Sequence, residues 1–89
     1  MSSSANWLLQ VDPQVHKDIK RFPKKDVNRI LEVIEILPIN PYAGDIQKMT
    51  GEDNVWRRRV GEYRVFFEII TKAKILHVFR VERRTSKIY

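Results

Sequence analysis

The apolar positions of this chain change period twice along its length, and the changes mark its elements. Trp7 to Val11 is a short β-like run. Asp12-Pro13 then supplies an N-cap followed by proline at the first helical position. Val15, Ile19 and Phe22 fall on one stripe of a helix expected over about Pro13 to Arg21. Pro23 stops it and opens a second helix, about Lys24 to Leu37, where Val27, Ile30, Leu31, Ile34 and Leu37 recur at helical spacing. Val33 and Ile36 widen that stripe, so this helix is expected to be buried over more than half its circumference. Pro38 and Pro41 end it, and Pro41 to Asn54 reads as the longest irregular segment.

Period two returns in Val55 to Ile70, V-W-R-R-R-V-G-E-Y-R-V-F-F-E-I-I, a β-hairpin about Gly61-Glu62. Glycine at the first central position suits a two-residue type II′ turn. Alternate strand residues share a face. Arg57 and Arg59 therefore project together, opposite Trp56, Arg58 and Val60. Tyr63, Val65, Phe67 and Ile69 make one apolar row, and Arg64, Phe66, Glu68 and Ile70 make the other. Thr71 to Ala73 turns the chain into Lys74 to Val81, a nearly continuous apolar run that predicts a central strand covered on both faces. The order β-α-α-β-β-β is that of an α+β fold, a helical hairpin packed on one face of a curved, mainly antiparallel sheet. Met1 to Ala5, Ser-rich and unanchored, is expected to be mobile, and residues 6–89 to form one domain without repeat or linker.

Composition narrows the function. At 89 residues, 43% of them hydrophobic, the chain can close one small core. It has no cysteine, which excludes disulfides, a thiolate zinc site and thiol redox chemistry. No long apolar run suggests a signal peptide or membrane span, so the expected location is the cytoplasm and no membrane partner is expected. The net charge of +6 is unevenly placed. Residues 1–56 hold seven Lys/Arg and eight Asp/Glu, whereas residues 57–89 hold ten and three, and seven of those ten cations are arginine. An arginine-rich, lysine-poor strand surface suits phosphate, because the guanidinium fork pairs two oxygens at once. Nucleic acid or another polyanion is the expected ligand.

The three glycines, at 44, 51 and 61, have no phosphate-loop spacing, and His16 and His77 have no ligand-like companions in sequence. No metal site or cofactor is expected. The cations Arg57, Arg59, Arg64 and Arg83, with Lys48, Tyr63 and Tyr89, form the stronger set. RNA cleavage without a metal requires a base for the ribose 2′ proton, cations around the phosphorane, and an acid for the departing 5′ oxygen. Fixed arginines meet the second requirement. Aromatic side chains can stack unpaired bases and hold the strand.

V-W-R-R-R-V-G-E-Y-R-V-F-F-E-I, followed by I-L-H-V-F-R-V-E-R-R-T-S-K-I-Y, resembles the RelE/ParE toxin superfamily of toxin–antitoxin modules, and its RelE branch most. The resemblance extends over nearly the whole chain, including the K-M-T-G segment ahead of the hairpin. It implies the RelE-like microbial-RNase fold and a ribosome-dependent endoribonuclease that cuts mRNA in the A site. It also implies silencing by a cognate antitoxin protein in a hetero-oligomer. On this resemblance Arg57, Arg59, Arg64, Arg83 and Tyr89 take catalytic positions. The arginines would hold and stabilise the scissile phosphate, Arg83 would assist the leaving group, and Tyr89 would stack on a base or help remove the 2′ proton. Lys48, Arg58, Arg84 and Lys87 would contact RNA. The family can place lysines on the active strand where this chain has Arg57 and Arg59, and an arginine is practically never deprotonated, so neither is an ordinary base.

Each assignment has a structural counterpart. Arg58, on the Trp56 face, suits a snorkelling sheet residue. Arg64 can pair with Glu68 on its own strand face. Trp56 and Tyr63 suit the core or its edge, and Tyr89 an ordered terminus. Two other functions stay open, a ParE-like inhibitor that binds DNA gyrase without catalysis and a basic RNA-binding module without activity.

Overall fold

Two helices lie on one face of a five-stranded sheet in the computed structural model, which describes residues 7–84. Met1 to Ala5, Lys87 and Tyr89 lie outside the described residues. The elements are β1 (Leu8–Val11), α1 (Pro13–Ile19), α2 (Lys24–Ile36), β2 (Ile46–Lys48), β3 (Val55–Val60), β4 (Tyr63–Ile70) and β5 (Ile75–Arg83). The sheet order is β1-β5-β4-β3-β2, with β1 parallel to β5 and every other pair antiparallel. The expected α+β class and helical hairpin are present, with one strand more than the order β-α-α-β-β-β.

Local chemistry accounts for most boundaries. The Asp12 carboxylate accepts the Gln14 N–H at 2.8 Å and caps α1, with Pro13 in its first turn. Pro23 occupies the N-cap position of α2. Val60 pairs with Tyr63 across a two-residue turn in which Gly61 takes φ +59°, as a type II′ turn requires. Lys74, at φ 58°, closes the 71–74 turn, so β5 begins one residue later than the apolar run suggests.

Three expectations are corrected by the packing. Ile36 is 52% exposed: α2 buries Ile30 and Ile34, with Leu37 just beyond it, half-buries Val27, Leu31 and Val33, and turns Ile36 to solvent. β5 is paired on both edges over part of its length but covered on one face. Leu76, Val78 and Val81 are buried while the residues between them are not. The irregular segment contains β2, three residues too short to show a period, which exists by pairing Ile46, Gln47 and Lys48 with Arg58, Arg57 and Trp56.

Two polar contacts join the layers. β1 reaches only as far as Val78 along β5, and the Asp18 carboxylate on α1 accepts the Val81 N–H beyond it at 2.9 Å. An edge donor is thus satisfied without a further strand. Tyr63, 5% exposed, donates its hydroxyl to Asp26 on α2 at 2.7 Å and stacks against Phe22 at 4.6 Å. Burial first, then the bond to Asp26, pushes its phenol above the ordinary value. At the opposite edge Arg58 lies under the 43–44 loop. It donates to the Ala43 carbonyl at 3.3 Å, while a side chain at Gly44, φ +85°, would run into the guanidinium.

Tyr63→Phe is expected to cost about 1–2 kcal/mol at neutral pH, read by urea denaturation. The fold favours the neutral phenol, so that contribution is whole below about pH 10 and is lost as pH rises past the raised value. The gap between native and Tyr63→Phe chains should therefore shrink in alkali; a gap constant to pH 11 (an alkaline point beyond the ordinary phenol value of about 10) would refute the account. Gly44→Ala should cost about 1–2 kcal/mol from backbone strain, with a further steric part. A double-mutant cycle with Arg58→Ala should remove the steric part and leave the backbone part.

Candidate functional site

The face of the sheet away from the helices is built in rows, one residue per strand. Arg59 on β3 faces Arg64 on β4, which faces Glu82 on β5. The next row is Gln47, Arg57, Phe66 and Arg80. Beyond it come Val55, Glu68, His77 and Gln10. The hairpin register therefore brings Arg57, Arg59 and Arg64 together on one surface. The two-residue turn at Gly61-Glu62 makes Arg59 and Arg64 direct cross-strand partners. Like charges directly opposite destabilise a sheet.

Part of that charge is already met. Arg57 donates to the Gln47 side-chain oxygen, and Arg59 Nε lies 3.7 Å from Asp45 Oδ2. Arg80 pairs with Glu82. Arg64 makes no ion pair among the described residues; Glu68, the structural alternative weighed as its partner, turns to His77 Nδ1 at 3.8 Å. His77 Nε2 lies 3.7 Å from Asp12 Oδ2, so two carboxylates bracket the imidazole. His77 and Glu68 put groups able to move a proton one row from Arg57, companions that linear spacing did not reveal.

The other expected residues stand apart from this surface. Arg83 is in register with Tyr63, on the helix side. It binds Glu62 Oε1 through Nη2 at 3.1 Å and Nε at 3.3 Å, and its Cζ lies 5.8 Å from the centre of the Tyr63 ring. The hydrogen bond to Glu62 holds its guanidinium still more firmly protonated. A cavity of about 300 Å³ lies beside it, lined also by Asp26, Arg29 and Gly61. Lys48 is opposite Trp56 and so on the helix side, as is Arg58, which is tied to the 43–44 loop. Arg84 follows β5 and donates its backbone N–H to the Glu62 carbonyl.

Arg80 and Phe79 were not singled out by sequence. Strict alternation from Leu76 and Val78 sends Arg80 into the core. A register shift opposite Phe66/Phe67 inserts Phe79 as an extra residue, and Arg80 comes out beside Phe66 on the open face. The available signal was the spacing of Val78 and Val81, two core valines three residues apart. No group of three or more His, Asp or Glu with metal-binding geometry occurs among the described residues, nor is any described helix long and apolar enough to cross a membrane.

Comparison with known proteins agrees with this architecture. Residues 9–88 match the family model described as ParE toxin of type II toxin–antitoxin system, parDE. The RelE1 protein of Methanocaldococcus jannaschii is 30% identical over 79 residues, 85% of this chain and 88% of that protein. Among solved structures, the archaeal RelE–RelB complex from Pyrococcus horikoshii OT3 superposes with a TM-score of 0.78 at 26% identity, covering 92% of this chain and 99% of that one. The RelB–RelE antitoxin–toxin complex from Methanococcus jannaschii gives 0.71 at 28% identity, covering 84% and 89%. With its fold, its hairpin arginines and these likenesses in agreement, the chain belongs to the RelE/ParE superfamily of toxins from toxin–antitoxin modules.

Proposed function

We propose that this toxin is a metal-independent endoribonuclease that cleaves mRNA in the ribosomal A site. The observation that carries the reading is the cross-strand pair Arg59–Arg64 with Arg57 one row away. Three guanidiniums on one open surface, two of them directly opposed, are stabilised by an anion between them. RNA lying across the rows would set a phosphate among them. The 2′ oxygen attacks phosphorus, the O2′–P bond forms, and the P–O5′ bond breaks. Arg57, Arg59 and Arg64 stabilise the added charge, the role in which a preorganised donor is worth most.

Arg83 and Tyr89 carry the remaining assignments, leaving-group assistance and base stacking or 2′-proton removal. Arg83 starts on the helix side at the end of β5, so this role requires its side chain to exchange Glu62 for the phosphate and turn round the end of the sheet. That exchange is cheap, because both partners are about half exposed or more and such pairs contribute little. Should Tyr89 not move the proton, His77 and Glu68 are the alternatives on the open face. Lys48, Arg84 and Lys87 would hold flanking RNA, while Arg58 serves the fold. The partner in the resting state is a cognate antitoxin, as in the RelE–RelB complexes this chain resembles, and the working location is the cytoplasm.

The match to a ParE family model supports a second reading, a gyrase-binding toxin without catalysis. Mapping mRNA 5′ ends in a reconstituted translation system separates the two. The native chain should produce cuts inside A-site codons. Arg57→Ala should lower their rate about 10²–10³-fold, Arg83→Ala should abolish them, and Glu62→Ala should leave them in place. Intact mRNA together with stabilised gyrase–DNA complexes would select the gyrase reading. For the antitoxin, Arg59→Glu should slow association at low salt with little change in dissociation; an unchanged association rate would put that partner on another surface.

A further inference from the structure

The open face carries an aromatic feature that phosphate binding leaves unused. Phe66 and Phe79 meet there with ring centroids 6.3 Å apart and planes at 46°. Phe66 is 9% exposed and forms a floor, while Phe79 is half-buried and forms a wall. Met49, Glu52, Val55 and Arg80 complete a depression of about 340 Å³, within the range of small-ligand pockets. The core has no need of these rings, which lie on the side of the sheet away from both helices. Alternation from Leu76 and Val78 turns the Phe79 ring outward, the bulge there brings Arg80 out beside Phe66, and bulges recur where a strand re-aims a side chain beside a functional site.

The charges around this depression choose its occupant. Phe66 stands between Arg57 and Arg80 in a single row, and the Arg80 guanidinium lies 5.9 Å from the centre of its ring. A flat apolar group flanked by two anions is the complement of cation–aromatic–cation. A nucleotide within a single strand has that form, a base between two phosphates. Resting on the RNA reading above, we infer that the Phe66–Phe79 depression seats one unpaired base of the bound strand, with Arg57 and Arg80 at the phosphates on either side. Arg80, itself exposed, releases the half-buried Glu82 to do so, a surface pair of the kind that contributes little. Stacking on a phenylalanine wall accepts any base, and a purine covers more of the ring than a pyrimidine.

Fluorescence anisotropy with the full chain at low salt tests this, using a labelled tetra-adenylate and a base-free ribose-phosphate tetramer as probes. Phe79→Ala should weaken tetra-adenylate binding about tenfold and leave the base-free tetramer unchanged, whereas Arg57→Ala should weaken both. Phe79→Leu, which keeps apolar volume without a ring, should bind like Phe79→Ala while unfolding at the native temperature. Equal loss on both probes, or none on either, with the Arg57→Ala effect intact would overturn the base seat and leave the RNA face standing. A Phe79→Ala chain with native RNA affinity but weakened antitoxin binding would give the depression to the antitoxin instead. If the native chain binds neither probe, the base seat fails, and the A-site cuts decide separately whether the nuclease reading fails with it.

Discussion

Everything in this structure follows from covering one face of the sheet and leaving the other open. The two helices bury Val65, Phe67, Leu76 and Val78 completely. Strand alternation then sends every intervening residue to the opposite side. Fully burying a residue of this kind is worth about 1.5–3 kcal/mol, and a one-residue slip of register would lose it along the whole strand. The arginines of the hairpin are thus fixed in position by the apolar residues between them. The cationic surface needs no separate framework, because it is the reverse side of the core.

That coupling explains which parts were legible in the sequence. Val55 to Ile70 could be read residue by residue, because period, turn glycine and face assignment agreed. The helical hairpin was equally clear from its prolines and from Ile30 and Ile34. β2 was not, since it is defined by its partner strand and not by its own residues. The exposure of Ile36 depends on there being no layer beyond α2 among the described residues, which periodicity cannot report. The site was half legible. Arg57, Arg59 and Arg64 came from alternation, but Arg83, read as their companion, turns to the helix side with Tyr63. Arg80 depends on a single inserted residue that breaks the rule used to read the others.

The open face also shows a local conflict of the kind expected where function overrides stability. Arg59 opposite Arg64 is unfavourable within the fold, and the nearby carboxylates of Asp45 and Glu82 offset it only in part. The helix side has the reverse character. There Tyr63, Asp26 and Asp18 satisfy one another or the backbone and hold the layers in place.

The parallel pairing of β1 with β5 affects how the molecule is made. Leu8 meets Ile75, so the first strand finds its place only after nearly all the chain has been synthesised. The β3–β4 hairpin, by contrast, closes over two residues. Contacts so distant in sequence slow folding and are added late. β1 is also an outer strand of four residues, of which Leu8 and Gln10 are exposed. The arginines of the open face come from β3, β4 and β5 alone, so none of that charge depends on the outer strand being in place.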